Sequence, residues 1–251
     1  MLMDQILAPG GLRPVFQPIY RMNGGNKREL HSLECLIRGP RETNVECAPV
    51  LFEYVRRKRQ ENVVDRACVL TAFGAAAKFA GTPRIAVNAH AATLARDSLF
   101  PDFLVDAAKS HRIGVERVTV EIVEHGPALD GKSFFRTLQV LKERGISIAI
   151  DDVGVAASNL RMILECRPHY LKVDRYFVSR AHEDPGKRAT LEAVMHIARR
   201  LGSTVVAEGI ETREELQVVR EAGIDLIQGY LFCTPLGVDE LFEHEPSLRK
   251  E

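Results

Sequence analysis

Short apolar runs rich in Val, Ile and Leu alternate along this chain with longer stretches in which apolar residues recur every three or four positions. The runs predict strands and the stretches helices, because strand side chains alternate between two faces while a helix turns about once every 3.6 residues. Val15-Phe-Gln-Pro-Ile-Tyr20 and Leu30-His-Ser-Leu-Glu-Cys-Leu-Ile37 are the first two strands. Met22-Asn-Gly-Gly-Asn26 joins them, a connection short enough to force an antiparallel hairpin. Helical periodicity from about 49 to 80 accommodates two helices. Pro83–Asn88 is then a strand, Asp102–His111 a helix, Val118–Ile122 a strand and Ser133–Arg144 a helix capped by Gly145. The strand Ile146–Asp151 follows. Beyond it come a helix at Leu160–Cys166, a strand at Tyr170–Val173, a helix at Leu191–Leu201 and a strand at Thr204–Glu208. A helix at Glu211–Ala222, a strand at Asp225–Gln228 and a short helix over 238–243 end the pattern.

Eight strands, seven of them separated by helices long enough to cross over, predict an α/β fold of the (β/α)8 TIM-like barrel type with its first strand antiparallel. Residues 1–13 contain Pro9-Gly10-Gly11 and no periodicity, so they read as a lead-in segment, with one barrel domain over 14–251. The rival doubly wound sheet usually carries a glycine-rich phosphate loop near its start, and none is present.

Composition narrows the partners. Thirty-four basic residues balance thirty-four acidic ones and the pI is near 7.1, so nothing supplies the concentrated basic surface that long nucleic acid requires. The five cysteines are scattered and lack any C-x-x-C spacing, which argues against a disulfide framework or a zinc site and for reduced cytoplasmic thiols. No stretch approaches the ~18 consecutive apolar residues of a membrane span, and the start lacks an export pattern. The expectation is a cytoplasmic protein.

In a barrel of this kind the chemistry gathers where the strands end at their C-terminal side. Glu34 and Arg38 close the second strand, Asn88 the third, Glu121 the fourth, Asp151 and Asp152 the fifth, Lys172 the sixth, Glu208 the seventh and Gln228 the eighth. Any one of them could cap a helix or close a turn. Together, four or five carboxylates at one mouth repel and raise one another's pKa unless cations neutralise them. Hard oxygen ligands favour Mg²⁺ or Mn²⁺ over thiolate-bound zinc. Neighbouring strand residues face opposite ways, so Asp151 and Asp152 reach two cations only if the strand already curls into its loop. Two such ions activate water for displacement at phosphorus, and Arg38 suits a phosphate oxygen. His90, His125 and His169 lie near strand ends but are isolated, which favours surface or turn positions over metal ligation.

The ordered motifs Phe16-Gln-Pro-Ile19, Glu34-Cys-Leu-x-Arg38, Val87-Asn88, Val120-Glu121-Ile-Val-Glu124, Ile150-Asp151-Asp152-x-Gly154, Leu171-Lys172-Val-Asp174, Ala207-Glu208-Gly-Ile-Glu211 and Gln228-Gly-Tyr-Leu-Phe232 resemble the EAL-type cyclic di-GMP phosphodiesterase domains of bacteria. The resemblance implies hydrolysis of cyclic di-GMP to linear pGpG with two Mg²⁺ or Mn²⁺ ions, and inhibition by Ca²⁺. It implies that Glu34, Asn88, Glu121 and Asp151 ligate the first metal and that Asp152 helps bind the second. Glu208 would be the general base, Lys172 would contact the attacking water, and Gln228, with Arg38 and Gln17, would bind substrate. Glu124, Glu211 and Asp174 would support the loops. A homodimer is also implied, and the chain length leads us to expect any regulatory input from a separate protein, a separate ligand or the lead-in segment.

Three positions depart from the family pattern. Cys35 replaces an alanine, the loop Asp152-Val-Gly-Val-Ala156 lacks the usual aromatic, hydroxyl and second glycine, and Thr234 stands before Pro235 where a basic residue is common. The filled ligand positions favour a working phosphodiesterase. The altered loop, expected to hold the second metal weakly, favours instead a catalytically weak domain that binds cyclic di-GMP or a protein partner.

Overall fold

The computed structural model describes residues 1–23, 27–81, 83–123, 131–155 and 159–250. In chain order the elements are α1 (Leu2–Leu7), β1 (Arg13–Met22), β2 (Arg28–Arg38), α2 (Ala48–Arg57), α3 (Glu61–Ala76), β3 (Arg84–His90), α4 (Ala91–Arg96), α5 (Phe100–Ser110), β4 (Val118–Val123), α6 (Lys132–Glu143) and β5 (Ser147–Val153). They continue with α7 (Asn159–Cys166), β6 (Tyr170–Val173), α8 (Arg175–Val178), α9 (Pro185–Leu201), β7 (Thr204–Ala207), α10 (Arg213–Glu221), β8 (Leu226–Ile227) and α11 (Val238–His244).

The eight strands close into a barrel in sequence order. β1 runs antiparallel to both β2 and β8, and every other neighbouring pair is parallel. The reversed first strand follows from the hairpin, since the two-sided ladder from Arg13↔Arg38 to Met22↔Arg28 leaves no room for a crossover. The later strands are almost continuously buried, as expected when a barrel interior covers one face and helices the other.

The helices end where the sequence says they should. Gly145 follows α6 with φ of +84°, a left-handed residue that a β-carbon would disfavour. α9 begins six residues before the predicted Leu191, because Asp184 caps it through Gly186 N at 2.8 Å and Pro185 opens it. Its first turn is polar, so apolar periodicity could not reveal it. α4 and α8 span only six and four residues, too short to show a repeat.

The N-terminal lead-in segment carries a helix that its lack of periodicity did not predict. This is α1, and Ile6 and Leu12 are buried in the main core. At the opposite end of the chain, Leu236 exchanges two backbone hydrogen bonds with Phe16 of β1 at 2.7 and 2.9 Å. Phe79 packs edge-on against both Phe16 and Phe242. The antiparallel strand is therefore braced by the C-terminal segment. Ile6→Ala should cost about 2–5 kcal/mol in urea unfolding, the range for a fully buried aliphatic residue, whereas a dispensable leader would show no change.

Candidate active site

The parallel strands bring five charged groups from separate parts of the chain to one point. Lys172, on β6 and 1% exposed, is its centre. Its Nζ lies 2.6 Å from Glu121 Oε2, 2.7 Å from Glu208 Oε1, 3.1 Å from Asp151 Oδ1 and 3.3 Å from Glu34 Oε2. Gln228 Nε2 donates to Glu34 Oε2 at 2.7 Å and to Gln17 Oε1 at 3.1 Å. Gln17 in turn donates to the Cys233 carbonyl at 2.9 Å, so its amide is committed to holding Gln228 in place. Asn88 Nδ2 reaches Glu34 Oε1 at 3.4 Å. Arg38 ends β2 half-buried, with no ion pair among the described residues.

One ammonium faces four carboxylates, and the imbalance shows in their titration. The surrounding negative charges of Asp151, Glu121, Glu208 and Glu34 outweigh burial and hold the Lys172 ammonium well above its ordinary pKa. Burial, reinforced by the charge of Glu34, pushes Glu121 well up. Burial also pushes Glu208 well up against the pull of Lys172, with Asp151 and Glu34 adding to the rise. Burial acts on Glu34 too, but Lys172 and the hydrogen bond from Gln228 bring it below the usual carboxylate value.

The strand carrying both aspartates does curl. The β5–β6 register shifts between Ile150 and Val153, and Asp152 adopts φ of +52°. Asp151 thereby turns towards Lys172, while Asp152 shares a hydrogen bond with Asp174. Asp174 also caps α8, accepting from Tyr176 N at 2.7 Å. Gly154 has φ of +103° and packs so closely on the Phe177 ring that a β-carbon would lie 2.4 Å from it. The loop after β5 is thus seated on α8. Val153 is buried and pairs with Val173, whereas Val155 is exposed. Ala156 and Glu124 lie outside the described residues. Glu211 pairs with Arg175 Nη2 at 2.9 Å, bracing the turn after β7 against α8.

A cavity of about 640 Å³ opens beside the cluster, bounded by Glu34, Asn88, Asp151 and Asp152 on one side and by α2 and α3 on the other. Cys35 and Cys68 line it as buried thiols, and burial drives both thiol pKa values upward, which makes them inert. His90 also lines it. The sequence suggested an isolated surface or turn histidine, but His90 is buried and bound to Asp65 Oδ1 through Nδ1 at 2.7 Å. Asp65 lies on α3 and was not singled out. Its signal was an acid inside an otherwise apolar helical face. His169 does lie at a turn, with Nδ1 accepting from Ile148 N at 3.0 Å, and His125 is outside the described residues.

Residues 1–235 match the EAL domain family model. The chain belongs to the EAL domain family. It is 30% identical over 247 residues to the Pseudomonas aeruginosa cyclic di-GMP phosphodiesterase NbdA, covering 95% of this chain and 31% of that protein. It is 33% identical over 159 residues to the Escherichia coli oxygen sensor protein DosP, covering 63% of this chain and 20% of that protein. Between 20% and 31% of these relatives' length is therefore spanned. Among solved structures, the Klebsiella pneumoniae BlrP1 complex with calcium and cyclic di-GMP superposes with a TM-score of 0.80 at 28% identity, over 90% of this chain and 56% of that one. The Pseudomonas aeruginosa MucR phosphodiesterase, in complex with cyclic di-GMP, superposes with a TM-score of 0.83 at 23% identity, over 95% and 97% of the two chains.

The EAL domain's donor set fits divalent cations. Oxygens of Asp151, Asp152 and Glu208 approach within 4.8 Å of one another. Gln228 Oε1 is buried with no hydrogen-bond partner among the described residues, and Asp151 Oδ1, equally buried, meets the Lys172 ammonium at 3.1 Å without a well-directed hydrogen bond. All-oxygen donors of this charge suit a hard ion. Asp152 supplies a pH test. Burial, then Asp151 and Asp174, push its pKa from 3.8 up to about 6. A raised folded-state pKa means that its stabilising contribution is complete below 3.8 and is lost as pH rises through about 6. With chelator present, the parent should lose urea stability relative to Asp152→Asn between those pH values. Equal profiles would remove the assigned shift.

Proposed function

We propose that this EAL domain is a phosphodiesterase that hydrolyses one phosphodiester of cyclic di-GMP to linear pGpG, using Mg²⁺ or Mn²⁺, in the cytoplasm. The observation that carries the reading is the convergence of Glu34, Glu121, Asp151 and Glu208 on buried Lys172, beside a cavity, in a chain whose relatives include proteins named cyclic di-GMP phosphodiesterases. Glu34, Asn88, Glu121 and Asp151 would hold one cation, with Asp152 and its neighbours holding a second. When bound, such ions lower the pKa of water and neutralise charge that develops on the phosphate.

The protein groups divide the remaining work. Glu208, raised in pKa by burial, is suited to take a proton from the attacking water at neutral pH. Lys172 holds the Glu208 carboxylate in position and would turn an Nζ–H to the same water once a bound cation took over one of its other carboxylates. Arg38, free of carboxylate partners among the described residues, would contact a phosphate oxygen. Gln228, fixed by Gln17, orients Glu34 and faces the substrate, and Asp174, Glu211 and Glu124 support the loops. One guanine would occupy the cavity against Phe52 of α2. Calcium should inhibit, because it accepts longer and less regular coordination.

Incubation with cyclic di-GMP should yield pGpG with Mg²⁺ or Mn²⁺ and none with chelator. Glu208→Gln should cut turnover by ~10² or more while leaving substrate binding near normal, the scale for loss of a general base. Binding without turnover in both metals would instead establish an effector that senses cyclic di-GMP. A rate retained in Glu208→Gln would reassign the base.

The reading includes a homodimer formed through the face beside the β5 loop, and regulation by a separate protein. Val155, Leu160 and Leu164 are 60%, 64% and 63% exposed there, while Ile163 and Cys166 anchor the inner face of α7. Leu160→Glu with Leu164→Glu should convert a dimer into a monomer by sedimentation and reduce turnover more than substrate affinity. A parent that sediments as a monomer would remove the dimer from the proposal.

A further inference from the structure

Away from the carboxylate cluster, a groove of about 850 Å³ opens between the base of the β1–β2 hairpin and α10. The hairpin lines it with Met22 and Arg28. α10 lines it with Arg213, Leu216, Gln217, Arg220 and Glu221. Those five recur at the three- and four-residue spacing of one helix face, so a whole side of α10 forms a wall of the groove. The floor is apolar. Leu216, with Leu231 and Phe232 from the segment after β8, is half-buried there, and Met22 is buried.

The rim, by contrast, is positive. Arg28 is exposed, lies over the Tyr20 ring at 4.7 Å from its centroid, and has no ion pair among the described residues. Arg213 is exposed and has neither an ion pair nor a side-chain hydrogen bond among them. Glu221, the acid among the lining residues, accepts from Gln217 Nε2 at 2.8 Å and stands 3.9 Å from Arg188 Nη1, so it is already engaged. A solvated surface arginine is the ordinary reading of such a residue, but the position of Arg213 argues against it. Arg213 opens α10, where free amide N–H groups make the helix end positive, and the next two residues are the acids Glu214 and Glu215 that such an end favours. A cation there costs helix stability, and no carboxylate among the described residues offsets it. Arg220, in the last turn of α10, lies ~10 Å further along the same wall at about 1.5 Å per residue.

We propose that this groove docks an acidic amphipathic helix of a partner protein. The helix lies along α10, with its apolar stripe on Leu216, Leu231 and Phe232 and its carboxylates against Arg213 and Arg28. Charge and shape select this occupant. An open trough that follows two turns of a helix suits a rod, an apolar floor suits a stripe of leucines, and guanidiniums without internal carboxylates suit acids. The inference goes beyond the hydrolysis reading and does not depend on it. It gives a surface to a separate protein, on a side of the barrel distinct from the carboxylate cluster.

The test measures binding of a fluorescent capped peptide of about five helical turns by anisotropy, without metal or nucleotide. The peptide carries Leu at alternating three- and four-residue spacing, Glu on the flanks and Ala elsewhere, and its control carries Lys in place of Glu. The Glu peptide should bind the full chain saturably and more weakly as salt rises. The Lys peptide should bind ~10-fold or more less tightly, because it sets like charges together. Arg213→Glu should weaken the Glu peptide ~10-fold or more. The same variant should hold or raise the urea midpoint, since an acid suits the start of a helix, so unfolding would not account for the loss. Arg28→Gln, which leaves α10 untouched, should weaken the peptide in the same direction. Arg136→Glu on α6, the same charge change on a different helix, should leave binding within about 2-fold. No saturable binding of the Glu peptide, equal binding of the Lys peptide, or an equal loss in Arg136→Glu would overturn the proposal. Binding to phosphatidylglycerol vesicles that is lost in Arg213→Glu, with none to the peptide, would assign the groove to a lipid surface instead. Failure of cyclic di-GMP hydrolysis would leave the peptide result standing, and failure of peptide binding would leave hydrolysis standing.

Discussion

Lys172 is the constraint on which the site depends. Four carboxylates from β2, β4, β5 and the turn after β7 could not share a dry barrel mouth without a cation among them, and the ammonium is a fixed one. Removing either partner of a buried pair leaves an uncompensated charge, so the strands that supply the carboxylates are also bound electrostatically to β6. One positive charge does not neutralise the group, however. Glu121 and Glu208 are left with raised pKa values, and that residual demand for charge is what suits the mouth to a cation.

The two aspartates at the end of β5 show how backbone geometry divides similar groups between different tasks. Regular pleating would place Asp151 and Asp152 on opposite faces of the sheet. The register shift and the left-handed Asp152 instead keep both at the mouth, one facing Lys172 and the other facing Asp174. Such a residue persists only where its surroundings over-determine it. Here the surroundings are α8, whose Asp174 bonds Asp152 and whose Phe177 forms the floor beneath Gly154. The loss of the usual aromatic is absorbed differently from the sequence expectation. Val153 completes the β5–β6 ladder as a buried residue, so the apolar contact under the loop comes from Phe177 on the neighbouring element.

The cavity follows from the opposite side of the same barrel. β2 and β3 deliver Glu34 and Asn88 to the cluster, and α2 and α3 then stand far enough from these strands to leave space between. That space is apolar on most sides and meets acids at one end. A flat apolar group would find a complementary wall in that opening, and a phosphate beside the acids would need a cation between them.

The sequence by itself determined the barrel, the reversed first strand and the strand-end residues, because each is written in a local signal. Strand and helix periods are properties of consecutive residues, a five-residue turn forces a hairpin, and an apolar run that stops on an acid places that acid at the end of a strand. Closure of the barrel then required those acids to meet. What only the tertiary structure decided were relations between residues far apart in the chain, or between elements too short to repeat. Lys172 lies 138 positions from Glu34, and no local pattern states that it stands among four carboxylates rather than beside one. The Asp65–His90 pair, the docking of α1 through Ile6, and the seat that Phe177 provides for Gly154 are of the same kind. Burial and pairing depend on which surfaces the folded chain brings together, and sequence spacing does not encode that distance.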